Sequence, residues 1–184
     1  EAPWLAYTDL LSSTLLILSV VVVASVLARL TNEKPPVIRL SDAKDYRFAR
    51  GSFEVNKAFR SKLISEELPK IDRAIQCYAI DTIEIIGHTD NSPNTGLSNI
   101  DRFPKTEELA NSLKSVYAGS NADLGLLRAF SVQTLLQEEI GRQYPDLEFK
   151  SYSASSLINP GDKSNFNANT DQEKRRIEIR LTRS

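Results

Sequence analysis

Hydrophobic positions follow two regimes along this chain. From residue 10 to residue 28 there is no charge, and nearly every position is Leu, Val, Ile, Ala or Ser. Beyond residue 36 the apolar residues recur singly or in short alternating groups. As a helix, the first run is about 28 Å long, close to the ~30 Å hydrocarbon core of a bilayer. It is apolar on every face, unlike a helix lying on a soluble core. A secretory signal would have a shorter apolar region, roughly 7–15 residues, and a small-x-small cleavage site. The flank Leu27-Ala28-Arg29-Leu30 offers no such site. Pro3 suits the first turn of a helix, and Trp4 and Tyr7 suit a membrane interface. The pattern predicts a retained transmembrane helix over residues 1–30.

The remaining pattern predicts an α+β fold with helices packed on a mixed β-sheet. Residues 31–45 read as a short linker, stiffened by Pro35-Pro36, with a short strand at 37–40 and a polar loop at 41–45. Residues 46–184 read as one domain. Tyr46-Arg47-Phe48-Ala49-Arg50 alternates as a strand does. Helical spacing follows at Phe59, Leu63, Ile64, Leu68, Ile71 and Ile75, with Pro69 kinking or splitting the segment. Residues 82–86 form a strand, 91–104 a loop and 105–117 a helix with Leu109, Leu113 and Val116 on one face. Asn121 is expected to cap a helix over 122–140. Strands at 147–152 and 175–182 flank a polar loop at 159–170.

Composition narrows the function classes. The 184 residues carry 23 basic and 24 acidic side chains, for a net charge of −1. A nucleic-acid surface needs clustered positive excess, which this balance does not supply. Cys77 is the only cysteine; it is expected to be a buried small hydrophobe, the alternative being a disulfide across a symmetric dimer. No metal-ligand cluster surrounds the single histidine, His88. No nucleophile is placed by a motif, so the chain is not expected to be an enzyme. It contains no methionine and is expected to lack its true N-terminus.

Three motifs carry the candidate chemistry. One strand ends in Gly87-His88-Thr89-Asp90. A helix opens with Asn121-Ala122-Asp123-Leu124-Gly125-Leu126-Leu127-Arg128-Ala129. The last strand contains Arg175-Arg176-Ile177-Glu178-Ile179. A carboxylate can take a ligand ammonium, and a guanidinium can take a carboxylate in a two-pronged fork. A helix N-terminus near Asn121 adds N–H donors. Singly, Asp90 also reads as a loop cap and Arg128 as a surface residue. Together and in this order the motifs resemble the OmpA-like peptidoglycan-binding domain over about residues 46–182. The resemblance implies that Asp90 and Arg128 clasp the zwitterionic end of diaminopimelate in the peptide stem of peptidoglycan. Thr89, Asn121 and Arg175 are the further candidates. Of Arg175 and Arg176, one is expected to line the ligand groove and the other to be solvated. His88 is expected to be packed and hydrogen-bonded. The chain departs from the family pattern at Gly125, where Ser is usual, at Lys174, where Asn is frequent, and in an insertion at about 91–120 with its expected helix.

At the other end lies Pro3-Trp4-Leu5-Ala6-Tyr7-Thr8-Asp9-Leu10. An acid in a membrane helix is costly and usually functional. The uncharged run after Asp9 spans the bilayer alone, however, so an interfacial Asp9 is equally compatible with the pattern. The stretch resembles the helix start of MotB-type stator B subunits, with Thr8 in place of Ala. That resemblance implies that Asp9 carries the transported ion, H+ or Na+, with no other cofactor. It also implies a homodimer inside a ring of multi-span MotA-like A subunits, five A to two B. Ser12, Ser13 and Thr14 are candidates for ion coordination or, preferably, helix packing. The expected location is the bacterial inner membrane, with the N-terminus in the cytoplasm and residues 31–184 in the periplasm. The short linker most resembles B subunits of the Zorya anti-phage defence system. Service in a flagellar or gliding motor, or as a passive membrane-tethered peptidoglycan anchor, remains the alternative.

Overall fold

The computed structural model describes residues 3–31, 35–102, 113–157 and 171–183. The chain forms two units, Glu1–Lys34 and Pro35–Ser184.

The first unit is one helix, α1 (Pro3–Thr31). Within it Tyr7–Leu27 is long and apolar enough to cross a membrane. Its large side chains from Leu10 to Leu27 are all exposed among the described residues. The serine and threonine hydroxyls turn inward to the helix backbone. Ser12 and Ser13 donate to the Asp9 carbonyl at 3.0 and 2.8 Å, and Thr14 to that of Leu11 at 2.9 Å. This satisfies polar groups locally, as a lipid environment requires.

The second unit is the α+β domain. Its elements are β1 (Val37–Ser41), α2 (Lys57–Lys62), α3 (Leu68–Tyr78), β2 (Thr82–His88), α4 (Asn121–Ile140), β3 (Glu148–Ser155), the one-turn α5 (Asp171–Lys174) and β4 (Arg176–Thr182). The sheet order is β1-β4-β2-β3. β4 runs antiparallel to both neighbours, while β2 and β3 are parallel. The sheet is therefore mixed, as the sequence predicts.

Alternation decides which face is covered. Ile38 and Leu40, Ile83 and Ile85, and Ile177, Ile179 and Leu181 are buried in one core with Phe59, Leu63, Ile71, Ile75, Val132 and Leu136. The other periodicity places charge together: Glu178 accepts from Arg176 Nε at 3.0 Å and from Arg180 at 3.1 Å.

The helical segment begins at Asn56, whose side chain accepts the Phe59 N–H at 2.9 Å. It is split as Pro69 predicts. A π-turn over Leu63–Glu67 precedes Pro69, which occupies the first turn of α3. There its missing N–H interrupts no helix ladder. Residues 46–50 correct another expectation, because they form no strand. Tyr46 is buried and Phe48 packs partly against the core, both with rings about 5 Å from that of Phe59 (5.2 and 5.1 Å). An extended segment that packs every second side chain shows strand alternation without pairing. Cys77 is exposed, because α3 turns Ile71, Ala74 and Ile75 inward. In the 91–120 insertion, Leu113–Ser115 is a 3-10 turn and residues 116–118 are not helical. The rest of the expected 105–117 helix, and all of the 159–170 loop, lie outside the described residues.

Candidate functional site

The site lies at the C-terminal end of β2. The Thr89 N–H bonds to the Ser155 carbonyl at 3.0 Å, and Asp90 follows. Asp90 Oδ1 accepts the Ser92 N–H at 2.9 Å, closing a local turn. Asn121 is not the cap of α4. Ser120 holds that place, its side chain accepting the Asp123 N–H at 3.1 Å. Asp123 returns a bond to the Gly119 N–H at 2.9 Å, much as in a capping box. One expected N–H donor at this helix end is thus already taken. Asn121 instead donates to the carbonyls of Asp90 (3.3 Å) and Ser92 (2.9 Å), tying the helix start to the loop after β2.

Two glycines set the spacing between β2 and α4. A Cβ on Gly87 would lie 1.9 Å from the Gly125 carbonyl oxygen, and one on Gly125 would lie 2.5 Å from Ser153 Oγ and 2.9 Å from the Gly87 oxygen. Helix and strand meet backbone to backbone, which only glycine permits. The departure from Ser at Gly125 therefore has a steric reason. Gly87 is three residues before Asp90, and Gly125 three before Arg128, so this contact brings the two motifs together.

Arg128 is buried on α4. Its Nε donates to the Ser52 carbonyl at 2.9 Å, and its guanidinium lies 5.0 Å from the centre of the Phe48 ring. The terminal nitrogens have no protein partner among the described residues. Burial and the nearby Arg175 charge push its pKa down to about 10, so it stays charged at neutral pH.

Arg175 joins two carboxylates. It donates to Asp90 Oδ2 at 2.7 Å through Nη1 and to Asp42 Oδ2 through Nε (2.9 Å) and Nη2 (2.7 Å). Burial raises the Asp90 pKa, but the Arg175 and Ser92 hydrogen bonds outweigh this and hold it below its ordinary value. Burial also disfavours the Arg175 charge, yet its bonds to Asp90 and Asp42 raise its pKa overall.

These side chains open on a cleft of about 620 Å³, lined among others by Thr89, Asp90, Asn121, Arg128 and Arg175. All five candidate residues thus share one cavity. Thr89 Oγ1 is buried without a hydrogen-bond partner among the described residues.

Sequence reasoning missed Asp42, which is buried, lines the cleft and also accepts from Arg47 Nε at 2.7 Å. It missed Phe48 and Ser52 as supports for Arg128. The expected division between Arg175 and Arg176 is half corrected. Arg175 lines the cleft, but Arg176 is buried rather than solvated, held by Glu178 and 3.4 Å from His88 Nε2. His88 is buried as expected, with Nδ1 unpartnered among the described residues. Burial, then the Arg176 charge, lowers its pKa to about 4 against the pull of Glu178.

Asp9 lies in the other unit, exposed on α1.

No family model and no curated protein matches the chain. Among solved structures it is similar to the cell wall anchor of the T6SS from Pseudomonas aeruginosa, at 22% identity and a TM-score of 0.46, covering 80% of this chain and 81% of that one. It is similar to the periplasmic domain of Helicobacter pylori MotB, at 18% identity and a TM-score of 0.49, covering 81% and 83%. It is also similar to an OmpA-like domain from Francisella tularensis, at 13% identity and a TM-score of 0.39, covering 80% and 75%.

Proposed function

We propose that this chain is a membrane-anchored, peptidoglycan-binding B subunit of an ion-driven stator. The observation that carries this reading is the cleft. It holds a carboxylate, Asp90, and a guanidinium with unengaged terminal nitrogens, Arg128, beside each other in a partly desolvated cavity. That pair is complementary to the zwitterionic end of diaminopimelate. Asp90 takes the ligand ammonium, and the Nη groups of Arg128 take its carboxylate. Arg175 keeps Asp90 ionised and oriented, and Thr89 and Asn121 complete the lining. Because Ser52 and Phe48 hold the Arg128 fork in place, little side-chain entropy remains to be lost on binding.

The stator half rests on α1. In this reading α1 crosses the inner membrane, and residues 31–184 lie in the periplasm. Asp9 carries H+ or Na+ against a ring of MotA-like subunits, five around two copies of this chain. Protonation or ion binding changes the Asp9 charge, and the membrane potential supplies about 2.3 kcal/mol per charge per 100 mV. Supporting this is the acid at the start of an apolar helix whose nearby hydroxyls are bound to its own backbone. The short connection between α1 and β1 favours the Zorya anti-phage type over motor types with longer linkers.

Sedimentation with purified peptidoglycan sacculi tests the wall half. Wild type is expected to pellet, and Asp90→Asn and Arg128→Gln to lose binding at least about tenfold, each removing a charge-assisted bond at a largely buried site. Wild type that stays in the supernatant would end this reading. Ion flux in proteoliposomes holding the copurified complex tests the other half. Flux is expected for wild type and absent for Asp9→Asn, and equal flux removes Asp9 as the carrier.

A further inference from the structure

The cleft is more cationic than a zwitterion requires. Among the described residues, four arginines (Arg47, Arg50, Arg128 and Arg175) and two aspartates (Asp42 and Asp90) line it. Arg175 is shared between both aspartates, and Arg47 leans on Asp42 through Nε alone. The zwitterionic end of diaminopimelate adds no net charge, so it leaves the positive excess uncompensated. Its size leaves room as well. A volume of 620 Å³ falls within the ~300–1,000 Å³ range of pockets that enclose drug-sized ligands, and one amino-acid end fills only part of it.

The excess sits on a defined piece of backbone. The Ser52 N–H bonds to the Ala49 carbonyl at 3.0 Å, closing a turn over residues 49–52. Gly51, its third residue, has φ +67°. A left-handed third residue is what a type II turn requires, and glycine supplies it without strain. Arg50 is the second residue of that turn and is exposed. It has no hydrogen bond or ion pair to any described residue. The last residue of the same turn, Ser52, accepts the Arg128 bond. The interaction that aims Arg128 therefore also fixes the turn that carries Arg50.

We propose that Arg50, with the outer nitrogens of Arg47, forms a second anion subsite that takes a further carboxylate of the bound peptide. Resting on the wall-binding reading above, this makes the ligand class a peptide stem with a free carboxylate next to its diaminopimelate, in preference to the amidated stem. An exposed guanidinium gains modestly from one carboxylate in water, so the discrimination is expected to be ~3- to 10-fold.

Calorimetric titration of the full chain in detergent tests this with three probes: diaminopimelate, a γ-glutamyl-diaminopimelate with the glutamyl α-carboxylate free, and the same dipeptide with that group as the amide. Wild type is expected to bind the free acid about 3- to 10-fold tighter than the amide. The ratio is expected to fall to near one in Arg50→Gln and to persist in Arg50→Lys. A ratio near one in wild type, or a ratio unchanged in Arg50→Gln, overturns the inference and leaves wall binding standing if diaminopimelate binds. Failure of wild type to bind any probe overturns both.

Discussion

At the scale of the residue, the chemistry of this domain depends on ionisable groups held out of water. His88 is the clearest case. It packs against Arg176 and Glu178, with Arg180 and Arg39 nearby, and its pKa falls to about 4 from the ordinary 6.5. A base whose folded pKa lies below its unfolded value holds fewer protons when folded. The stability it contributes is therefore fully present above about 6.5 and is lost as pH falls toward about 4. The loss is expected to be on the order of 1–3 kcal/mol. Urea unfolding from pH 7 to pH 4 measures it. Wild type should lose stability through that window, and His88→Gln should show a flatter dependence. A flat wild-type profile would remove His88 as the sensitive group. The residues of the cleft were unevenly legible. Asp90, Arg128 and Arg175 stand in motifs and could be named from the chain. Asp42 could not, because a charged residue in a polar run reads as solvated. Its burial is decided by Arg175, 133 positions away in sequence.

At the scale of the element, the close contact of β2 with α4 governs both stability and the site. The Cβ of Gly87→Ala would collide with the backbone of Gly125 rather than with a side chain that can rotate away. The helix must lift off the strand, at an expected cost of about 3 kcal/mol or more. Gly125→Ala should cost less, because Ser153 Oγ can move while only the Gly87 oxygen stays in its way. Thermal melts of the two variants give the order. Equal and unchanged melting temperatures would refute the close contact. Because Asp90 and Arg128 each lie three residues beyond these glycines, Gly87→Ala should also weaken sacculus binding. Most elements were readable from periodicity, including the division of the helical segment at Pro69. The strand expected at residues 46–50 was not real. Alternation reports which side chains are covered, and here Tyr46 and Phe48 are covered without any partner strand. The cap of α4 was displaced by one residue because Ser120 and Asn121 can both accept a backbone N–H. Only the fold shows that Asn121 is needed by the loop after β2.

At the scale of the whole molecule, two units of opposite character share one chain. The helix Pro3–Thr31 leaves its large apolar side chains from Leu10 to Leu27 uncovered, whereas the domain from Pro35 onward encloses its own core. A chain begun at Pro35 is therefore expected to be monodisperse without detergent and to unfold in one cooperative transition. The full chain should require detergent or lipid. Size-exclusion chromatography and circular dichroism check both statements. Aggregation of the shortened chain would show that α1 contributes to the fold of the domain. The sequence revealed this division directly, since an uncharged run and an alternating one differ in kind. It did not reveal the strand order, which depends on β4 entering between β1 and β2.

That strand order has a mechanical consequence. On the proposed reading, the chain is held by a bilayer at one end and a wall polymer at the other and is pulled between Pro35 and Asp90. Tension entering at Asp90 passes into β2, which is laddered on both sides, to β3 and to β4. Tension entering at Pro35 passes into β1, an edge strand of five residues bonded to β4 alone. On the proposed reading, the ligand cleft is thus built on the better-supported strand, and under rising load β1 is expected to yield first.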